Sequence, residues 1–204
     1  MMKSITMKQI VLGICLLLLV SSHTRAQNEF NGGVFGGLTA SQIDNDNYYG
    51  FSKLGFTAGA YVQRAVMDDL SWQLEVKFIT RGAYKPAAAN DPTIEVSHLN
   101  YVEIPLSLNY LFAEKFQPEI GIAPDVLISR RYEDENGLID PSEYRDVRRV
   151  GLNVFGGVVY WINPSNGVGI RYSYSAFPYY KFDAVSTRYR FSGLFHNVLQ
   201  LNYY

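Results

Sequence analysis

The chain has 204 residues and a formal net charge of −1, and charged side chains make up 18% of it, against about 25% in average soluble proteins. A near-neutral chain lacks the strongly basic face of a nucleic-acid binder, so no nucleic-acid partner is expected. Aromatics reach 15%, and no stretch beyond residue 26 is apolar enough for a membrane helix, so membrane residence would require a closed sheet.

The first element reads as a leader. Lys3 and Lys8 precede an apolar run from Ile10 to Val20, followed by Ser21-Ser22-His23 and Thr24-Arg25-Ala26, an ending suited to signal peptidase. The run supplies about half of the ~20 residues a spanning helix needs, which predicts a cleaved signal peptide over residues 1–26 and a barrel domain over 27–204. Cys15 lies behind Ile14, where lipid attachment wants a small residue, and cleavage leaves a thiol-free chain suited to an oxidising compartment.

Eight segments of period-two alternation follow. In the first, Val34 and Leu38 oppose Gly33, Phe35, Gly37 and Thr39; in the second, Phe56, Ala58, Ala60 and Val62 oppose Thr57, Gly59, Tyr61 and Gln63. The third, Leu70 to Arg81, is the clearest: Leu70, Trp72, Leu74, Val76 and Phe78 share one face, and Ser71, Gln73, Glu75, Lys77 and Arg81 the other, with Ile79 alone breaking the polar row. The fourth spans Leu99 to Phe112, where Pro105 predicts a bulge or a local break. The fifth, Phe116 to Ser129, sets Ile120, Ile122 and Val126 against Gln117, Glu119 and Asp125; the sixth, Val147 to Trp161, sets Val150, Leu152 and Val154 against Arg149, Gly151 and Asn153. In the seventh Val168, Ile170 and Tyr172 oppose Gly169, Arg171 and Ser173, and in the eighth Leu199, Leu201 and Tyr203 oppose Val198, Gln200 and Asn202. Each strand is expected to run about 9 to 12 residues, the length of a tilted membrane strand.

Connections alternate between long and short. Short ones lie at Met67-Asp68-Asp69, Ala113-Glu114-Lys115 and Asn163-Pro164-Ser165-Asn166-Gly167, and long ones near Gln42 to Ser52, Gly82 to Ser97, Arg130 to Asp146 and Phe177 to Phe191. This rhythm predicts an all-β fold, an eight-stranded antiparallel up-and-down transmembrane β-barrel in the outer membrane, with both mature termini on the short-turn, periplasmic side. A soluble lipocalin-like barrel has the same period with its apolar face inward. The polar row favours the membrane form, because it mixes Gly, Ala, Ser and Thr with a few large residues where a soluble surface would be rich in Lys and Glu.

On that reading the inner row carries Glu75, Glu103, Glu119 and Asp125 against Lys77, Arg81, Arg149 and Arg171. Four acids and four bases make a neutral interior. Burying charge requires pairing, which predicts a salt-bridged plug in place of an ion-selective lumen.

At Tyr101-Val102-Glu103-Ile104-Pro105-Leu106 the chain meets a known pattern. With Gly121-Ile122-Ala123-Pro124, Arg171-Tyr172-Ser173-Tyr174 and Asn197-Val198-Leu199-Gln200-Leu201, it resembles the PorT-like outer-membrane β-barrel family of Gram-negative bacteria over essentially the whole mature chain. The resemblance implies an eight-stranded outer-membrane barrel; the family's name-giving member takes part in protein secretion, which makes a secretion-accessory role an implication here. A terminal Phe is usual in such barrels, and Tyr203-Tyr204 stand in its place, leaving the facing of the last residue open.

No catalytic, cofactor-binding or metal-binding residue is assigned, and no cofactor is expected. His98 and His196 could serve a surface hydrolase with Asp91 or Asp146 as orienting acid, or could be rim histidines touching water; strands four and eight lie on opposite walls, and no nucleophile motif accompanies either histidine. Asp44-Asn45-Asp46-Asn47 and Glu133-Asp134-Glu135-Asn136-Gly137 offer oxygen ligands without the spacing of a calcium loop and read as solvated turns. The fourth long loop sets Phe177, Tyr179, Tyr180, Lys181, Phe182 and Tyr189 together, either as a binding surface for protein, glycan or lipopolysaccharide or as an outer girdle. The expected partners are therefore outer-membrane lipid and lipopolysaccharide, with a protein partner through the long extracellular loops. The expected role is a non-enzymatic structural, binding or assembly component; the alternatives are a surface lipid or peptide hydrolase and a narrow channel.

Overall fold

A computed structural model describes residues 30–44, 50–85, 93–144, 147–181 and 193–204. The leader, Phe182 and Tyr189 lie outside the described residues, as does the side chain of Lys181.

Eight long strands form one closed antiparallel ring. They are β1 (Phe30–Asp44), β2 (Lys53–Ala65), β3 (Leu70–Arg81), β4 (Glu95–Glu103 continued by Leu106–Tyr110), β5 (Phe116–Asp134), β6 (Val150–Asn163), β7 (Asn166–Ser175) and β8 (Gly193–Tyr203). Each pairs with its sequence neighbours, and β1 pairs with β8 from Gly36↔Tyr203 to Asp44↔Phe195, so no sheet edge runs along the barrel. Two-residue strands at Tyr84–Lys85, Gly137–Leu138 and Tyr180–Lys181 extend the ladders into the long loops.

The proline effect appears where it is expected. β4 breaks at Ile104-Pro105, yet Glu75 N–H donates to the Pro105 carbonyl and Ile104 N–H to the Pro124 carbonyl, both at 2.9 Å, so the wall stays closed around a residue with no N–H of its own. β5 departs from the expected length, running 19 residues and past Ser129 to Asp134. The register explains why: Tyr101 faces Leu127 but Asn100 faces Ser129, so Ile128 bulges out and the pairing resumes as far as Val96↔Glu133. On its other side β5 loses β6 early, because that ladder ends at Val126↔Val150 and β6 starts three residues later than Val147.

Burial is inverted relative to a soluble protein. Val34 is 75% exposed, Leu54 74% and Ile120 70%, and they belong to an apolar row on every strand that faces outward. The opposite rows, polar throughout most of their length, are buried. An apolar surface encircling the whole molecule is far larger than a water-soluble monomer presents, so the outward face is matched to lipid. At the short-turn end it carries aromatics: Phe30 meets Trp72 edge-on at 6.2 Å, Phe116 lies 5.1 Å from Tyr160, and Tyr110 and Tyr203 are exposed beside them.

Candidate functional site

The interior is built in three layers. At the short-turn end Tyr204 stacks on Phe35 at 5.2 Å and meets Tyr61 at 5.8 Å and Trp161 at 6.1 Å. The last residue therefore faces inward as the floor of the plug, while Tyr203 faces lipid and donates its hydroxyl to Asn166 at 2.7 Å. Trp161 donates its indole N–H to Gln117 at 2.5 Å, which satisfies the one polar atom of that ring.

Charge fills the middle layer. Arg171 reaches Glu75 with two guanidinium nitrogens at 2.6 and 2.8 Å, and Glu119 through Nε at 2.6 Å and Nη2 at 2.8 Å. These two fork-on-carboxylate contacts pin one cation between strands β3 and β5 from a third strand, β7. Arg81 pairs with Glu103 and, at 2.9 Å, with Asp125, and lies 4.6 Å above the Tyr101 ring. Lys77 joins the second group: it contacts Glu103 at 3.0 Å and donates to Gln200 at 2.9 Å. Asn153 completes the layer by donating to Asp125 at 2.7 Å and to Glu103 at 3.3 Å. Its place on the inner row of β6 was legible in the sequence, but nothing there marked it as a junction between two acids.

Room for these side chains comes from missing ones. Gly59 pairs with Lys77, Gly151 with Asp125, and Gly157 with Glu119 on one side and Arg171 on the other. A Cβ at Gly157 would stand 2.6 Å from Glu119 Oε1 and 2.6 Å from the Ile170 carbonyl. Gly157→Ala is therefore expected to destabilise the folded barrel by about 1–3 kcal/mol through overpacking, read as a lower urea midpoint. A variant as stable as the parent would show that the ion pair can shift aside.

The loop-end layer is apolar. Ile43, Ile79, Leu99, Tyr101, Val147, Tyr179, Leu194 and Val198 form one buried cluster, which explains why Ile79 interrupts the polar row of β3. Tyr179 lies over the His196 ring at 4.3 Å, and His196 Nε2 is 3.0 Å from the Tyr101 hydroxyl. A void of about 10 Å³ beside them, lined by Asp125, Asn153 and Ser175 among others, is about the size of one water.

Three expectations need correction. Arg149 is exposed at the rim; the ladder that would have aimed it inward stops at Val150, and Val147 takes the inward place. Among the described residues the interior thus holds four acids, Glu75, Glu103, Glu119 and Asp125, against three bases, Lys77, Arg81 and Arg171, a formal charge of −1 in place of zero. Tyr179 is 8% exposed and belongs to the plug, so it offers no binding surface, whereas Phe177 is 53% exposed. His196 is no rim histidine: it is 2% exposed and covered by Tyr179, closed to any substrate. His98 pairs across the β4–β5 ladder with Arg131, on the wall facing away from β8. Among the described residues no group of three metal-ligating side chains comes together, and Glu133–Gly137 is a turn in which the Asp134 carboxylate accepts the Asn136 N–H at 2.8 Å.

The rim carries a second feature. Where β5 and β6 part, Leu127, Ile128, Ser129, Arg130, Val147 and Arg149 line a cleft of about 250 Å³.

The structure is similar to Ail, the attachment invasion locus protein of Yersinia pestis, with 11% identity over 86% of this chain and 96% of that one and a TM-score of 0.51. It is similar as well to Neisserial surface protein A, with 13% identity over 85% of this chain and 97% of that one, also with a TM-score of 0.51. Likeness at such identities speaks for the fold alone. No curated protein matches the sequence. The model of the outer membrane protein beta-barrel domain, however, matches residues 24–179, and with the closed ring and its lipid-matched exterior this places the chain in the outer membrane protein β-barrel domain family.

Proposed function

We propose that this protein is a closed, non-enzymatic outer-membrane anchor whose loops engage a partner at the cell surface. The observation that carries the reading is the middle layer, where seven charged side chains from β3, β4, β5 and β7 are each 7% exposed or less and paired in two groups across the bore. Eight strands leave space for side chains and little more, and here floor, charged layer and apolar cap occupy it in turn. A rigid plugged cylinder performs no transport; it holds loops. The long-loop end faces outward in this reading, with both termini periplasmic and a signal peptide removed after Ala26. Burial of His196 under Tyr179 counts against the hydrolase alternative.

Planar-bilayer recordings test the plug. The purified barrel is expected to give no stable open level, and a large steady conductance would return the channel reading. Crosslinking in native membranes identifies what the loops touch, with Phe177 and its neighbours as the expected contact. The pattern Tyr101-Val102-Glu103-Ile104-Pro105-Leu106 supports a secretion-accessory role of the PorT-like kind, for which the crosslinked partner would be a component of a secretion complex.

A further inference from the structure

Asparagine followed by glycine occurs three times beyond the leader, at Asn31-Gly32, Asn136-Gly137 and Asn166-Gly167. The pair is chemically labile, because a glycine nitrogen with no side chain beside it can reach the Asn side-chain carbonyl carbon and close a cyclic imide. Closure turns the peptide between the two residues, so it must first break whatever hydrogen bonds that peptide and the Asn side chain make.

The fold locks two of the three pairs. Asn31-Gly32 lies within β1, where the consecutive rungs Asn31↔Gln63 and Gly32↔Val62 hold both residues against β2. At Asn166-Gly167 the Asn166 Nδ2 donates to Asn163 Oδ1 at 3.0 Å, its Oδ1 accepts the Tyr203 hydroxyl at 2.7 Å, and the Gly167 N–H donates to the Tyr204 carbonyl at 3.2 Å. Leaving group, carbonyl oxygen and nucleophile are all engaged there. Asn136-Gly137 differs on each count. It forms the tip of the hairpin that extends β5, both residues are exposed, and the Asn136 side chain makes no hydrogen bond among the described residues. The Asn136 N–H is held by the Asp134 carboxylate at 2.8 Å, which anchors the residue without engaging the peptide that must turn. Gly137 adopts a φ of +109°, a conformation that favours glycine, and nothing stands within 4 Å of the place its Cβ would occupy. The turn therefore demands the residue that makes the neighbouring Asn reactive.

We propose that Asn136 is a site of self-modification by imide formation. The Gly137 nitrogen bonds to Asn136 Cγ, the Cγ–Nδ2 bond breaks, and Nδ2 departs as ammonia carrying the former Gly137 amide proton. Water then opens the ring, adding its hydroxyl to one carbonyl carbon and its proton to the nitrogen; opening at Cγ gives aspartate, and opening at the main-chain carbon gives isoaspartate. Either product sets a new carboxylate beside Glu133, Asp134 and Glu135. Isoaspartate also lengthens the main chain by an atom, which breaks the closing rung Asp134↔Gly137 and leaves intact the bond behind it, from Ile139 N–H to the Tyr132 carbonyl at 3.1 Å. With age the tip gains charge and loses its shape while the barrel wall stays as it was.

The test incubates the mature chain, folded in detergent and in parallel unfolded in urea, in mildly alkaline buffer, and follows the three Asn-Gly peptides by mass spectrometry, with electron-transfer fragmentation separating isoaspartate from aspartate. In the folded barrel Asn136 is expected to react at least about tenfold faster than Asn31 or Asn166, which must first give up hydrogen bonds. In urea the three rates are expected to converge. Asn136→Gln is expected to remove the acidic form that isoelectric focusing shows accumulating in the parent, and heat-modifiable gel migration verifies that both proteins are folded. Equal rates at the three sites in the folded barrel, aspartate at position 136 without isoaspartate, or persistence of the acidic form in Asn136→Gln overturns the proposal.

Discussion

Replacing Arg171 by Met is expected to destabilise the barrel by about 3–5 kcal/mol, the usual consequence of leaving buried charge without its partner. The guanidinium is 1% exposed and engages both Glu75 and Glu119, so the variant keeps the aliphatic volume and abandons two carboxylates in the bore. Urea unfolding followed through Trp72 and Trp161 measures the loss, and retention of heat-modifiable migration shows how much barrel survives. Adding Glu75→Gln and Glu119→Gln to Arg171→Met removes the stranded charges, and most of the loss is expected to return. If the triple variant were as unstable as the single one, the contribution of Arg171 would lie in its packing, for instance its guanidinium 4.4 Å above the Phe155 ring, and the electrostatic account would fail.

The second large effect separates two adjacent tyrosines. Tyr204→Ala empties the floor of the plug, where the ring packs among Phe35, Tyr61 and Trp161, and is expected to cost about 3–5 kcal/mol, the range for deleting a buried aromatic ring. Tyr203→Ala trims a ring that is 55% exposed to lipid and is expected to cost under about 1 kcal/mol. Equal losses would mean that the C-terminal pair acts through recognition during membrane insertion and not through packing, a distinction that refolding in detergent, without insertion machinery, makes directly.

The alternation that revealed the barrel is at its best where strands pair on both sides, as in β3. There the expected bounds, Leu70 and Arg81, coincide with the observed ones, because both neighbours enforce the pleat. It fails where a neighbour is missing or the register slips. Arg149 follows the inward parity of β6 but sits one residue before the strand begins, so nothing directs its side chain inward. The bulge at Ile128 moves Ser129 to the outer face opposite Asn100, whose amide donates to it at 2.8 Å, and no composition cue at Leu127-Ile128-Ser129 announces that shift. Tyr179 presents a different difficulty. An aromatic loop residue that caps the bore and one that awaits a partner look alike in a sequence, and only the proximity of His196 and Leu194 across the ring separates them. Membership of the inner row was therefore readable for Glu75, Lys77, Arg81, Glu103, Glu119, Asp125 and Arg171. Which acid each base would choose was not, since it depends on strands far apart in the chain.

The glycines opposite the interior charges carry a consequence for how such a chain can change over time. In a water-soluble protein the apolar positions are constrained by fit and the polar ones drift. Here the outward Val, Ile and Leu need only be greasy and can be exchanged for one another, because lipid tails adapt to any contour. The bore tolerates little, because a longer side chain at Gly157 collides with the clamp on its two neighbours and a shorter one at Arg171 strands two acids. Charged and glycine positions must therefore change together, in pairs across a rung, or remain as they are. Relatives of this chain are better recognised by matched rungs of the inner wall than by the hydrophobic half of the pattern.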